Sequence, residues 1–136
     1  MTSLPATESC VEKVRALESV LMKMPQKELK TDHVFHAGTY LRTIVLPPET
    51  VITGVQIKIP TVVILSGDCL VFGENGPVRF TGYHVLCGQK GRKQAFYALE
   101  ETSITMLFAT YAQTIEEAEH EFTDEYDLLG SHREQK

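Results

Sequence analysis

Cysteine is scarce in this sequence and carries no spacing motif: Cys10, Cys69 and Cys87 are odd in number and far apart. No pair forms a CxxC, which excludes a zinc knuckle and a thioredoxin-type redox site. Cys69 and Cys87 fall in apolar, strand-like runs and read as buried small hydrophobes in a reducing compartment. Long apolar runs are missing too. No window approaches the roughly eighteen apolar residues of a membrane-spanning helix. The first residues also lack the charged-then-apolar order of a secretory signal, so no membrane partner is expected and the expected setting is cytoplasmic. A basic surplus is absent as well. Lys and Arg number 13 against 18 Asp and Glu, a formal net charge of −5, and nucleic acid is therefore not expected as a partner. Nor is a nucleophilic triad legible, because Ser66 in Leu-Ser-Gly-Asp lacks G-x-S-x-G context.

What is present fits one domain. A chain of 136 residues with 43% hydrophobic residues buries a core without a metal or disulfide staple. Between Glu8 and Met24, Val11, Val14, Leu17, Val20, Leu21 and Met24 recur at helical spacing, with Thr7 as N-cap and Pro25 as the stop. This stripe needs a surface, either the rest of the chain or a second copy. From His33 onward short runs rich in β-branched and aromatic residues alternate with turn signals at Pro47-Pro48, Ser66-Gly67-Asp68 and Gly88 to Gly91. Strands are expected over Tyr40–Leu46, Val51–Ile57, Thr61–Leu65, Cys69–Phe72 and Ser103–Ala109, and Asn75-Gly76 marks a hairpin. Thr114 and Glu117 then form a capping box, with Ile115, Ala118 and Phe122 on one stripe. Residues 115 to 136 hold eight carboxylates against Arg133 and Lys136, which reads as a solvated helix face plus a tail. The expected organisation is residues 1–32 as helix and linker, 33–112 as a β-barrel and 113–136 as helix and tail.

Four landmarks between Thr39 and Tyr111 resemble the cupin superfamily of small jelly-roll barrels. Leu46 to Gly54 (LPPETVITG) resembles its opening strand and turn, and Val63 to Gly67 (VILSG) the step after its ligand strand. Gly73 to Val78 resembles its inter-motif hairpin, and Gly82 to Gln94 its second motif. More narrowly, these runs together with YALEETSITMLFAT and the acidic C-terminal helix are similar to small cupin-like proteins of phages and prophages. That resemblance implies an accessory or virion-associated role, in the host cytoplasm or the virion. The family's metal ligands are histidines and a carboxylate, but here the corresponding stretches offer Gln56, Lys58, Thr61 and Gln94. Amide oxygens are weak ligands and an ammonium repels cations, so neither a metal nor any other cofactor is expected.

Several other residues remain as candidates. His33 and His36 form an H-x-x-H pair that a strand would send to opposite faces. Gln56, Lys58, Arg79, His84 and Tyr97 stand on strands where inward-pointing members would form a polar pocket for a small anion or sugar. Lys90, Arg92 and Lys93 lie in a glycine-flanked basic loop, readable as a solvated turn, an anion cradle or a contact for another subunit's acidic helix. The reading is a mainly β, cupin-like jelly roll with an N-terminal amphipathic and a C-terminal acidic helix. It is expected to be a non-enzymatic accessory protein acting as a homo-oligomer or through a protein partner. The alternative is a small-ligand binder or metal-independent enzyme working at the barrel mouth.

Overall fold

Thr7 caps the first helix as its position before an apolar stripe predicts. In the computed structural model, which describes residues 2–4, 6–24, 29–73 and 76–129, the Cys10 N–H donates to the Thr7 hydroxyl (3.2 Å) at the start of α1, Glu8–Leu21. The expected stop at Pro25 lies outside the described residues. Cys10, Val11 and Val14 are buried, and the Cys10 thiol reaches the Phe72 carbonyl, so the first half of the stripe is covered by the barrel, while Val20 and Met24 stay exposed.

Eight strands follow the β-branched runs: β1 (Ser3–Leu4), β2 (Thr31–His36), β3 (Thr39–Leu46), β4 (Val51–Thr53), β5 (Thr61–Gly73), β6 (Gly76–Gly88), β7 (Ala95–Ala98) and β8 (Thr102–Ala109). One sheet runs β1-β6-β5-β8-β3-β2, while β7 pairs with both β5 and β4. Two differences from the sequence reading matter. Ser66-Gly67-Asp68 is no turn: β5 passes straight through it, and β6 passes through Gly82 opposite. Gly67 (φ 145°) and Gly82 (φ 84°) face each other and bend the long hairpin at one level. On one side of that bend β5 pairs with β8 through Val62–Ser66, and on the other with β7 through Cys69–Phe72. The bend therefore carries the hairpin from one wall of the jelly roll to the other. The second difference is that the strand expected over Val51–Ile57 ends at Thr53. Gly54 to Pro60 is irregular and docks its backbone on the loop opposite, with Gly54 N–H bonded to Gln94 O (2.9 Å), Ile57 N–H to Arg92 O (2.8 Å) and Gly91 N–H to Ile57 O (2.6 Å). The barrel's edges also differ from the expected division, since β2 begins at Thr31 and β1 adds to β6 in parallel. In the hairpin, Gly73 pairs with Gly76; Asn75, read as its turn, lies outside the described residues.

The core lies in two groups. Leu46, Val63, Leu65, Val71, Leu86 and Phe96 pack between the walls. Tyr40, Val55, Ile57, Phe108 and Phe122 pack beneath α2, Ile115–Phe122. Thr114 caps α2 as expected, with the Glu117 N–H donating to Thr114 Oγ1 (3.2 Å), but the Glu117 carboxylate accepts from the Thr114 hydroxyl (3.0 Å), so the second bond of the expected capping box runs between side chains. Ala118 and Phe122 are buried and Ile115 half-buried, followed by a short 3-10 turn at Tyr126–Leu128.

Candidate functional site

Between the two walls lies a cavity of about 730 Å³. Its sides are mostly apolar: Ile44, Val63, Ile104 and Met106 from one wall, Ile52 and Phe96 from the other. Leu21, Met22, Met24, Phe122 and Leu128 stand at its ends, the two methionines half-exposed. The polar part of the lining consists of Arg42, Arg92 and Gln94, the carboxylates Glu18 and Glu49, and Thr31, Thr50 and Thr53.

Arg92 is the group to explain. Strand-like alternation leading into β7 sends Arg92, Gln94 and Phe96 to the cavity side and Lys93 to the other. Only 6% of Arg92 is exposed. Its Nη1 donates to Gln94 Oε1 (2.8 Å) and its Nη2 to Thr61 Oγ1 (3.1 Å), which engages two of the five N–H groups a guanidinium carries. Nε has no hydrogen-bond partner, and no carboxylate among the described residues pairs with the charge. Room beside it is provided by Gly88, where a Cβ would fall 2.7 Å from Arg92 Nε and against Thr61 Oγ1. Burial lowers the guanidinium pKa to about 10, so the group is still a cation at neutral pH. The second unbonded buried polar atom among the described residues, Thr50 Oγ1, belongs to the same cavity lining.

The other buried charges are matched. Lys93 is wholly buried and its Nζ meets Gly54 O (2.9 Å), Glu18 Oε2 (3.0 Å) and Glu125 Oε1 (3.2 Å). Glu125 also accepts from the Gln56 N–H (2.7 Å) and from Arg15 Nη1 (2.9 Å). Burial alone would raise the Glu125 carboxyl, but the Gln56 and Arg15 hydrogen bonds and the Lys93 charge outweigh it and hold the group below its ordinary value. Glu18 and Glu125 thus tie α1 and the C-terminal turn to the barrel through one lysine. Arg42 lies 3.6 Å from Glu119 and stacks over the Phe122 ring, with Nη1 donating to Tyr40 Oη (3.4 Å). Burial raises the Tyr40 phenol above its ordinary value, and its oxygen also shares a hydrogen bond with His33 Nδ1 (2.7 Å).

The residues singled out in the sequence are dispersed. Of Gln56, Lys58, Arg79, His84 and Tyr97, none lines the cavity. Gln56 bridges Arg15 Nη2 (2.7 Å) and Gly91 O (3.1 Å), and Lys58 pairs with Asp124 (2.8 Å). Arg79 makes a two-point pair with Asp68 (2.9 and 2.7 Å) on the outside, its hydrogen bond pulling the aspartate below its ordinary value. His84 packs edge-on against Phe80 and bonds Thr81 O (2.8 Å), and Tyr97 is half-buried on β7. The basic loop divides three ways: Lys90 is exposed, Arg92 faces the cavity and Lys93 is sealed under Glu18 and Glu125. It therefore forms no common anion cradle. Nor is the acidic C-terminal segment only a solvated face, because Glu119 and Glu125 turn inward onto Arg42 and Lys93. His33 and His36 take opposite faces of β2, as alternation requires. Cys10 and Cys69 are buried and Cys87 half-buried, all three as free thiols. Burial raises the Cys69 thiol, which keeps it inert. No three or more His, Cys, Asp or Glu side chains gather among the described residues, and no described helix is long and apolar enough to cross a membrane.

No family model matches the sequence, and no curated protein matches it either. Solved structures match it in shape. A cupin superfamily protein from Desulfitobacterium hafniense is similar with a TM-score of 0.51 and 8% identity, over 68% of this chain and 86% of that one. KdgF from Halomonas sp. is similar with a TM-score of 0.51 and 14% identity, over 66% of this chain and 86% of that one. A cupin domain from Bordetella pertussis is covered over 98% of its length, with a TM-score of 0.50 and 13% identity over 64% of this chain. At such identities the likeness speaks for the backbone alone. With the strand pairing above, it makes this chain a cupin-type jelly roll in fold.

Proposed function

We propose that the barrel is a binding site for a small amphipathic anion, whose acidic head meets Arg92 and whose apolar body fills the cavity between the walls. Of the two readings drawn from the sequence, the accessory and the ligand-binding one, the cavity supports the second. One observation carries it: a buried guanidinium with an unbonded Nε and no salt-bridge partner among the described residues, on the wall of a largely apolar cavity. Burying a charge without a partner costs several kcal/mol, and a carboxylate or similar oxyanion supplies the missing counter-charge and accepts the unused N–H groups. The volume falls within the range of roughly 300–1,000 Å³ that suits small-molecule ligands. Metals of the type bound by histidine-bearing cupins do not fit this donor set. The lining holds two carboxylates, Glu18 and Glu49, and no histidine, no three ligating side chains gather among the described residues, and the Gln94 amide and Thr50 hydroxyl are weak ligands.

The test is calorimetric titration with octanoate and with octanol, which differ in the charged head. Wild-type protein is expected to bind octanoate and discriminate against octanol, and Arg92→Met is expected to weaken octanoate by about 10- to 100-fold while leaving octanol unchanged. Equal affinity for acid and alcohol, or an Arg92→Met variant that binds octanoate as tightly as wild type, overturns the proposal.

A further inference from the structure

Two buried side-chain atoms among the described residues have no hydrogen-bond partner, Arg92 Nε and Thr50 Oγ1, and both residues line the cavity. The anion reading uses the first and leaves the second unexplained. Thr50 is only 6% exposed. A buried hydroxyl left unbonded is destabilising, and a valine of the same shape would be free of that cost. Strand register fixes where the hydroxyl stands. Val51 to Thr53 pair with Tyr97 to Ala95, and backbone bonds extend the ladder at both ends, Ala98 N–H to Thr50 O (2.9 Å) and Gly54 N–H to Gln94 O (2.9 Å). Thr50 is therefore opposite Ala98, six residues along the chain from Arg92. Alternation puts Thr50 on the same face as Ile52, which pairs with Phe96 and lines the cavity with it. At about 3.3 Å per residue, the α-carbons of Thr50 and Arg92 are separated by at most ~20 Å. The Arg92 side chain spans part of this, because its Nη1 reaches Gln94 Oε1 (2.8 Å), in the direction of Phe96 and Thr50. The interval left between the two unbonded atoms is on the order of 12 Å.

We infer that the guest has two polar ends, an acid head at Arg92 and a neutral hydroxyl at Thr50, joined by an apolar chain. This rests on the anion reading above and adds the far end of the ligand. Three backbone bonds of an extended chain cover roughly 3.3–3.6 Å, so a saturated chain of about ten carbons bridges the interval. A ligand hydroxyl can donate to Thr50 Oγ1 or accept from it, and either bond satisfies the orphan. The far group is neutral because Glu49, next to Thr50, brings a carboxylate to the cavity lining. A second acid would meet that charge, and an ammonium would give up its hydration for a carboxylate that is itself exposed. Glu49 is held in place by its backbone, with φ at 61° and its N–H bonded to Ala98 O (2.7 Å). A glutamate seldom adopts this left-handed conformation, and such a residue persists where its surroundings over-determine it.

Calorimetric titration of the full chain with decanoate, ω-hydroxydecanoate and sebacate, the matching diacid, tests the far end. Wild type is expected to bind ω-hydroxydecanoate about 5- to 20-fold more tightly than decanoate, and sebacate more weakly than either. Thr50→Val is expected to reverse the preference in favour of decanoate, and Thr50→Ser, which keeps a hydroxyl, to retain it. Ligand-free Thr50→Val is expected to unfold at a urea midpoint at least as high as that of wild type. A lowered midpoint would mean that the hydroxyl already has a structural partner, and overturns the inference. Decanoate bound through Arg92 but no less tightly than ω-hydroxydecanoate, or a preference that survives in Thr50→Val, overturns the inference and leaves the anion reading standing. Binding of none of the three acids, or binding indifferent to Arg92→Met, overturns the anion reading and this inference with it.

Discussion

Arg92 and Lys93 are adjacent, both cationic and both buried, yet their energetics run in opposite directions. Lys93 is held by two carboxylates and a carbonyl, so Lys93→Met takes the cation from Glu18 and one of three contacts from the Glu125 carboxylate. Its expected cost is about 3 kcal/mol in urea unfolding. Arg92 has neutral partners only, so Arg92→Met removes a desolvated charge at the expense of two hydrogen bonds, and the ligand-free variant is expected within about 1 kcal/mol of wild type. Finding the two losses equal would show that Arg92 has a structural role like its neighbour's. Gly67 is the other residue whose identity is dictated locally. A Cβ there would fall 2.5 Å from Glu101 O and 2.7 Å from Thr102 Cα, at a φ that other residues avoid. Gly67→Ala is expected to cost more than about 2 kcal/mol, read as a lowered urea midpoint with an unchanged slope. Neither the fate of the basic pair nor the bend is visible in residue type. A Gly-Gln-Lys-Gly-Arg-Lys run looks like a solvated loop, and Ser-Gly-Asp looks like a turn. A signal for the bend does exist, because counting outward equally from the hairpin end brings Gly67 opposite Gly82.

The elements outside the barrel act as clasps. α1 and the Tyr126–Leu128 turn approach the same lysine, and Glu125 gathers the Gln56 N–H, Arg15 and Lys93 at once. Because its folded-state pKa is depressed, the Glu125 contribution is present above the ordinary glutamate pKa and is lost as pH falls through the lowered folded value. Glu125→Gln is therefore expected to be less stable than wild type at about pH 7, and the gap is expected to narrow as pH falls through the lowered folded value, where wild type loses the charge as well. A gap that stays constant across that range would mean that shape and not charge holds the clasp. At the start of α2, Thr114→Ala is expected to cost about 1 kcal/mol, the usual worth of a side-chain cap. Both helix starts were legible because a cap acts through neighbours in sequence. The inward turn of Glu119 and Glu125 was not, since their partners Arg42 and Lys93 are far away along the chain.

For the whole molecule, the mainly β jelly roll followed from the density of short β-branched runs and turn residues, and the register of the central hairpin makes it concrete. The interior did not follow. Whether a barrel is filled or hollow depends on which members of each strand face inward, and a strand that ends three residues into its run, as at Thr53, breaks that count. Gln56 and Lys58 were thereby displaced from the cavity, while Arg92 and Gln94, in a segment read as loop, entered it. The central claim is that the hollow barrel carries one buried positive charge, with no salt-bridge partner among the described residues, for an anionic guest. Urea unfolding of wild type and Arg92→Met, each with and without octanoate, tests it most directly. At a hundredfold excess of octanoate over its Kd, wild type is predicted to gain about 2.7 kcal/mol and Arg92→Met far less. An equal gain in both proteins, or none in either, would contradict the claim.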